Sequence, residues 1–144
     1  MIVAFCGHRA VHDNYEVLKW LDQVVASLIR QGADEFWFGN KGTFDQLAKI
    51  SVSSLKFERF PRIKRTLVKA YLQQPCDARS FDDSMYPPLE NVPPRYAIVR
   101  RNRYMALQAD VLVTYALYHQ GNAMAIKELA ERKGKRVINY PALP

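Results

Sequence analysis

The segment EFWFGNKGTFDQLAKISVSSL, residues 35–55, changes its hydrophobic period partway along. The opening EFWFG is a short apolar run stopped by Gly39, which reads as a buried strand. Beyond residue 42, Phe44, Leu47, Ala48, Ser51, Val52 and Leu55 recur at three- and four-residue steps and trace one face of a helix. A strand that runs straight into a helix is half of a βαβ unit, so the flanking sequence decides the fold by repeating that order or breaking it.

It repeats. Upstream, residues 2–6 form another short apolar run ending at Gly7, followed by Val17, Leu18, Leu21, Val24, Val25, Leu28 and Ile29 at helical spacing, with Gly32 at the expected stop. Downstream, RTLVKAYL (65–72) reads as a third strand. Residues 73–95 then carry five prolines and no sustained period, a long excursion of the kind that is functional or disordered. RYAIVRRNRYMALQ (95–108) reads as a helix, ADVLVTYAL (109–117) as a strand, GNAMAIKELAERKG (121–134) as a helix and KRVINY (135–140) as a last strand. Strands separated by helices predict an α/β protein with an open, mainly parallel sheet of about five strands and helices on both faces, in one domain spanning 1–144.

At 144 residues and 49% hydrophobic content the chain can bury a core of its own. No apolar stretch reaches the roughly 18–20 residues that cross a bilayer, and the N-terminus lacks a leader pattern, so the expectation is a cytoplasmic protein without a membrane partner. Cys6 and Cys76 form neither a disulfide framework nor a metal spacing, and His12 and His119 lack ligand-spaced partners; no metal and no required cofactor are expected. The net charge of +7 favours acidic partners, nucleotides or nucleic acid. Residues 56–69 hold six Lys and Arg against one Glu, with Phe57 and Phe60 interleaved, which suits either a nucleic-acid backbone or a solvated face; residues 127–136 hold five against two.

Ligands of open α/β sheets bind outside the carboxyl ends of the strands, at the reversal of strand order. The polar clusters CGHR, GNKGTFD and YALYHQGNA all fall after strands. GNKGTFD has neither Walker nor G-x-G-x-x-G spacing. Gly39 and Gly42, with Asn40 and Thr43, either cradle a phosphate at a helix start or make a capped turn, and Gly121 and Asn122 open a second helix in the same way. Arg9 suits a phosphate through two nitrogens. His8 suits acid–base work near neutral pH or a structural bond. Asn102, spaced with Ile98 and Met105, needs a polar partner, and Tyr115 offers a stacking face.

FCGHR (5–9), GADEFWFGNKGTFDQLA (32–48), RYAIVRRNRYMALQADVLVTYAL (95–117) and AERKGKRVIN (130–139) together resemble the SLOG superfamily of small bacterial proteins, in its YpsA-like branch. That branch shows F-T-G-H-R, G-G-A-x-G-F-D-x-x-A and R-N-R-x-M. The resemblance implies a Rossmann-like fold with a pocket for nucleotides or their derivatives. It assigns ligand binding to Gly7, His8 and Arg9, to Gly39, Gly42, Phe44 and Asp45, and to Arg101, Asn102 and Arg103. Related proteins include the lonely-guy phosphoribohydrolases and the DNA-processing protein A, which binds single-stranded DNA. The phosphoribohydrolase motif P-G-G-x-G-T-x-x-E corresponds here to QGNAMAIKE, which keeps Gly121 and Glu128 and loses the remaining glycines and the threonine. The leading expectation is therefore a nucleotide-binding domain. The alternatives are an N-glycosidic-bond hydrolase or transferase using Glu128, Asp45 or Glu90 with His8, and single-stranded nucleic-acid binding through residues 56–69. A homo-oligomeric contact through the proline-rich excursion is a further expectation.

Overall fold

The computed structural model describes residues 1–119 and 121–144. Strands β1 (Ile2–Gly7), β2 (Glu35–Phe38), β3 (Lys64–Val68), β4 (Asp83–Met85), β5 (Val111–Tyr115) and β6 (Arg136–Asn139) form one sheet in the order β4-β3-β2-β1-β5-β6. Every neighbouring pair is parallel. Helices α1 (Asn14–Arg30), α2 (Thr43–Glu58), α3 (Ala97–Gln108) and α4 (Asn122–Arg132) connect them. Among the described residues, no helix is long and apolar enough to cross a membrane.

The alternation of side chains along each strand sorts the core into two layers. Val3 and Phe5 of β1 and Phe36 and Phe38 of β2 pack with the apolar stripes of α1 and α2. Ala4, Cys6 and Trp37 face the other way, toward Met105 and Ala106 of α3 and Ile126 and Ala130 of α4. Both faces are covered, which is why the central strands read as unbroken apolar runs. Asp13 accepts from the Glu16 amide at 3.1 Å and starts α1, and Gly32, at φ 110°, turns the chain out of its end.

The sheet has six strands rather than about five. The additional strand, β4, lies inside the proline-rich excursion and has the sequence DSM, with no apolar period to announce it. It pairs through backbone at Thr66–Asp83, Leu67–Ser84 and Val68–Met85, and side chains fix it: Arg65 grips Asp82, and Lys64 pairs with Asp83 at 2.9 Å. The third strand ends at Val68, short of the expected residue 72. The chain turns there, with the Ala70 amide donating to the Gln74 side chain at 3.0 Å. A single 3-10 turn at Pro94–Tyr96 precedes α3, so the regular helix begins two residues later than expected from sequence.

From β1 the chain builds outward through β2 and β3 on one side, whereas β5 pairs on the other. The strand order therefore reverses between β1 and β5, which opens a crevice at their carboxyl ends.

Candidate functional site

Two loops and three helices meet at this crevice and line a cavity of about 210 Å³. The loop after β1 contributes Gly7, His8 and Arg9, the loop after β2 contributes Lys41, and Asp45 comes from the first turn of α2. Ile98, Arg101 and Asn102 of α3 close one wall, and Asn122 and Ala123 at the start of α4 close another. Segments separated by more than a hundred residues thus share one hollow, as the clustering of polar residues after strands had suggested.

The glycines make room for the protein's own side chains. A Cβ on Gly7 would lie 2.4 Å from the ring of Phe44, which is buried in the core beneath the loop. A Cβ on Gly39 would lie 2.7 Å from the Arg101 guanidinium. Gly42, at φ 87°, sits against the Arg9 backbone, and the Thr43 amide donates to the Arg9 carbonyl at 2.7 Å. The loop after β2 is therefore a platform for Arg9 and Arg101 rather than a bare backbone cradle. Gly42 occupies the N-cap position, so Thr43 is helical and does not cap. Asn40, at φ 58°, accepts from Gln46 at 2.8 Å and from Lys49, which holds its side chain along α2.

Among the described residues Arg101 is the largest fully buried side chain, at 1% exposure. Its Nη1 donates to the carbonyls of Gly39 at 3.0 Å and Val68 at 3.1 Å, and its Nε donates to the Asn102 side-chain oxygen at 2.8 Å. That last bond supplies the polar partner Asn102 requires. All three acceptors are neutral, and among the described residues Arg101 forms no ion pair. Burial pulls its pKa down from 12.5, with Asp45 the main charge opposing the shift. A guanidinium stays protonated in proteins, so the buried charge persists.

Asp45 is also buried, and its Oδ2 accepts from the Lys41 amide at 2.9 Å. Desolvation pushes its carboxyl up to about 6, against that hydrogen bond and the charge of Arg101. Cys6 lines the same space, and burial first, then Asp45, pushes its thiol up to about 12, so it is neutral and inert. With Arg9, Lys41 and Arg101 on the walls against the single carboxyl of Asp45 among the described residues, the cavity is electropositive. The first turn of α4 adds amides without a side-chain cap, where an anion is favoured by hydrogen bonding and by the helix dipole.

His8 is held by its Nε2, which accepts from the amides of Leu117 at 2.9 Å and Tyr118 at 3.4 Å. An accepting Nε2 places the ring proton on Nδ1, and burial lowers the pKa from 6.5, so the imidazole is neutral. It fastens the loop after β5 to β1 and leaves Nδ1 as the nitrogen free of that task.

The remaining sequence candidates lie elsewhere. Tyr115 is in the core, its ring 5.9 Å from Phe44 and 5.2 Å from Tyr140, and gives no open stacking face. Arg103 lies on the outer side of α3, and Glu128 is exposed on α4; neither lines the cavity. Gly121, at φ 105°, is the N-cap of α4. Sequence reading missed Lys41, Phe5, Cys6, Ile98 and Ala123 as wall residues. It also missed Tyr118, which is 47% exposed and has its ring 4.8 Å from His8. Lys41 was visible between the two loop glycines, and a lysine there is a usable signal without Walker spacing.

Neither a family model nor a curated protein matches the sequence. Solved structures do match. DNA processing protein A from Helicobacter pylori, described with a single-stranded DNA binding mode, aligns with TM-score 0.68 at 17% identity over 99% of this chain and 66% of its own. DNA processing protein A from Streptococcus pneumoniae aligns with TM-score 0.69 at 19% identity over 97% and 50%. The molybdenum cofactor carrier protein from Chlamydomonas reinhardtii aligns with TM-score 0.64 at 15% identity over 96% and 75%. The chain thus spans half to about two thirds of the length of the two DNA processing proteins, and what it shares with all three is their fold, the Rossmann-like fold that the resemblance to SLOG proteins implies.

Proposed function

We propose that the cavity between β1, β2 and β5 binds a phosphate of a nucleotide or nucleotide-derived ligand. The observation that carries this reading is Arg101, a buried cation whose hydrogen bonds all go to neutral oxygens. Burying a charge is costly unless a counter-charge compensates it, and here the charge lines a cavity that an anion can enter. Arg9, Lys41 and the α4 first turn supply further donors on the same hollow. At about 210 Å³ the space is smaller than the ~300–1,000 Å³ of pockets that enclose a drug-sized ligand, so it suits the phosphate and sugar, with the base toward the mouth. Tyr118, beside His8, replaces Tyr115 as the aromatic that meets the base.

The test is titration calorimetry and thermal shift with mononucleotides, dinucleotides and ADP-ribose, on the wild type and on Arg101→Met. The wild type is stabilised by a phosphorylated ligand and not by the corresponding nucleoside, and Arg101→Met loses that stabilisation. A flat response of the wild type to every phosphorylated ligand, in both measurements, overturns the reading.

Asp45 favours a second reading. It is the one carboxylate lining the cavity among the described residues, and a carboxyl titrating near 6 is suited to general acid–base work at neutral pH. Cleavage of an N-glycosidic bond would then fall to Asp45 rather than Glu128. Chromatography for free base released from nucleoside monophosphates decides between them: Asp45→Asn abolishes release and Glu128→Gln does not.

A further inference from the structure

The buried carboxyl and the buried guanidinium of the cavity do not meet. Asp45 and Arg101 line the same hollow of about 210 Å³, yet neither an ion pair nor a hydrogen bond joins them among the described residues. Asp45 accepts one hydrogen bond there, from the Lys41 amide to Oδ2, and Oδ1 has none. Arg101 directs Nε to Asn102 and Nη1 to two carbonyls, which leaves Nη2 without a partner. No side-chain nitrogen or oxygen that is sealed from open space lacks a partner among the described residues. Oδ1 and Nη2 are therefore open, and with both residues almost fully buried, the cavity is what they are open to.

An anion seated on Nη2 thus shares a small, poorly hydrated space with Oδ1. Two negative charges in such a space do not both persist, and one of the two groups takes a proton. The remaining groups that face Asp45 do not relieve this. Arg9 on the loop after β1, Lys41 on the loop after β2 and Arg101 on α3 face it as cations, and α4 contributes Asn122 and Ala123. Cys6 of β1 stays a thiol and His8 stays a neutral imidazole above pH 7, both through burial.

We propose that Asp45 and a phosphate bound in this cavity hold one proton between them, so that the ligand enters together with a proton taken from solvent. The Lys41 amide occupies Oδ2, so the proton lies at Oδ1 and bridges to one phosphate oxygen while the others meet the arginines. Whichever oxygen carries it, the proton belongs to the pair. The inference rests on the function proposed above and makes the affinity of that site depend on pH. A carboxyl raised to about 6 is matched to the second ionisation of a phosphate monoester, at about 6, so the pair accepts a proton readily near neutrality and less readily in mild alkali.

The experiment is calorimetry of the full chain with ribose 5-phosphate and, separately, with sulfate, from pH 7 to pH 8.5 in buffers of different ionisation enthalpy. The dependence of the observed heat on buffer enthalpy counts the protons taken up. Uptake of about one proton is expected for each probe, with affinity falling about tenfold per pH unit. Sulfate has no proton to exchange in this range, so its uptake reports Asp45 itself. Asp45→Asn keeps an oxygen for the Lys41 amide and offers an amide N–H to the anion without a proton from solvent. It should bind both probes without uptake, with little dependence on pH, and about tenfold or more tightly than wild type at pH 8. Binding to the wild type without proton uptake overturns the proposal and leaves the cavity a phosphate site, as does a pH dependence that Asp45→Asn retains. Absence of binding by both probes at every pH, including pH 5.5 where the free carboxyl is largely protonated, overturns this inference together with the reading it rests on.

Discussion

Arg65 and Arg101 are both buried arginines, 3% and 1% exposed, and both tie an α-helix or loop to the sheet, yet their partners differ in kind. Arg65 donates from Nε and Nη2 to the two oxygens of Asp82 at 3.1 Å each, and from Nη1 to Ser53 and the Arg79 carbonyl. Its charge is matched inside the protein, and its bonds are used up in fixing β4 to β3. Arg101 makes three bonds of similar length to oxygens that carry no charge. One arginine is paired by folding, whereas the other has as counter-charge only the Asp45 carboxyl across the cavity, with no hydrogen bond between them. Burial and hydrogen bonding alone would class them together; the charge of the acceptor separates a structural arginine from a candidate ligand contact.

The same distinction sorts the two basic surfaces. In residues 56–65, Lys56 donates to the Pro61 and Ile63 carbonyls and sits 3.7 Å from Asp82, Lys64 pairs with Asp83, and Arg65 with Asp82. The stretch that looked most like a nucleic-acid surface in sequence spends much of its charge on holding the sheet edge. On α3 and α4, less conspicuous in sequence, Lys127 pairs with Glu131, but Arg100, Arg103 and Arg132 have no carboxylate partner among the described residues.

The largest effect expected from breaking this comparison is at Arg65. Arg65→Ala leaves Asp82 with one side unpartnered and should destabilise the protein by about 3 kcal/mol, the low end for a broken buried pair because Asp82 is 30% exposed. Burial pushes the Asp82 pKa up, but the bonds and charge of Arg65 outweigh it and hold the carboxyl below 3.8. Stability from this pair is therefore present above pH 3.8 and lost as pH falls through the lower folded value. Urea unfolding of wild type and variant should converge in strong acid, and the ligand-induced thermal shift should be unchanged between them.

Asp45 should behave in the opposite sense. Its folded pKa of about 6 exceeds the ordinary 3.8, so the folded state holds the proton more tightly. The contribution of Asp45 is most favourable below pH 3.8, declines as pH rises toward 6, and is level above that. A rise of that size corresponds to about 2 to 3 kcal/mol. Asp45→Asn retains an oxygen for the Lys41 amide and has no charge to bury, so its stability relative to wild type should climb between pH 4 and pH 7. Denaturation at both pH values reads this directly, and a constant difference would show that Asp45 ionises without penalty beside Arg101.

The fold was legible because βα periodicity is a local signal: each central strand is apolar on both faces and each helix carries a stripe that marks its register. β4 was not legible, because a three-residue edge strand is set by backbone pairing and by Arg65 and Lys64 reaching from the neighbouring strand. The loops of the site were legible as places after strands. Their inner workings were not, because what fills a glycine's missing Cβ comes from far along the chain: Phe44 against Gly7, and Arg101 against Gly39. Tyr115 read as available for stacking because it ends a strand beside the loop, but its ring turns into the layer under α2.

Gly39→Ala tests that last point with a smaller effect. The added methyl would stand 2.7 Å from a guanidinium held by the Gly39 and Val68 carbonyls and by Asn102, so the arginine cannot swing clear without giving up bonds. Overpacking of this kind costs about 1 to 2 kcal/mol. Because the displaced group is Arg101, phosphate-dependent stabilisation should weaken along with the melting temperature. A loss of stability with ligand response intact would separate the position of Arg101 from the function proposed for it.

The smallest effect is expected at Arg62, and it is the one that tests the comparison of surfaces rather than of single residues. Arg62 belongs to the basic stretch, is exposed and has no carboxylate partner among the described residues, so charge reversal there disturbs no fold contact. Arg65→Glu would be a poor probe of the same surface, since it would place two carboxylates together in the site Arg65 now fills. Arg62→Glu should change stability by no more than about 0.5 kcal/mol. It should also leave the stabilisation by phosphorylated ligands as in wild type, whereas Arg101→Met removes it. Equal losses at Arg62 and Arg101 would mean that binding follows net charge alone, and the distinction between matched and unmatched cations would carry no information about the ligand.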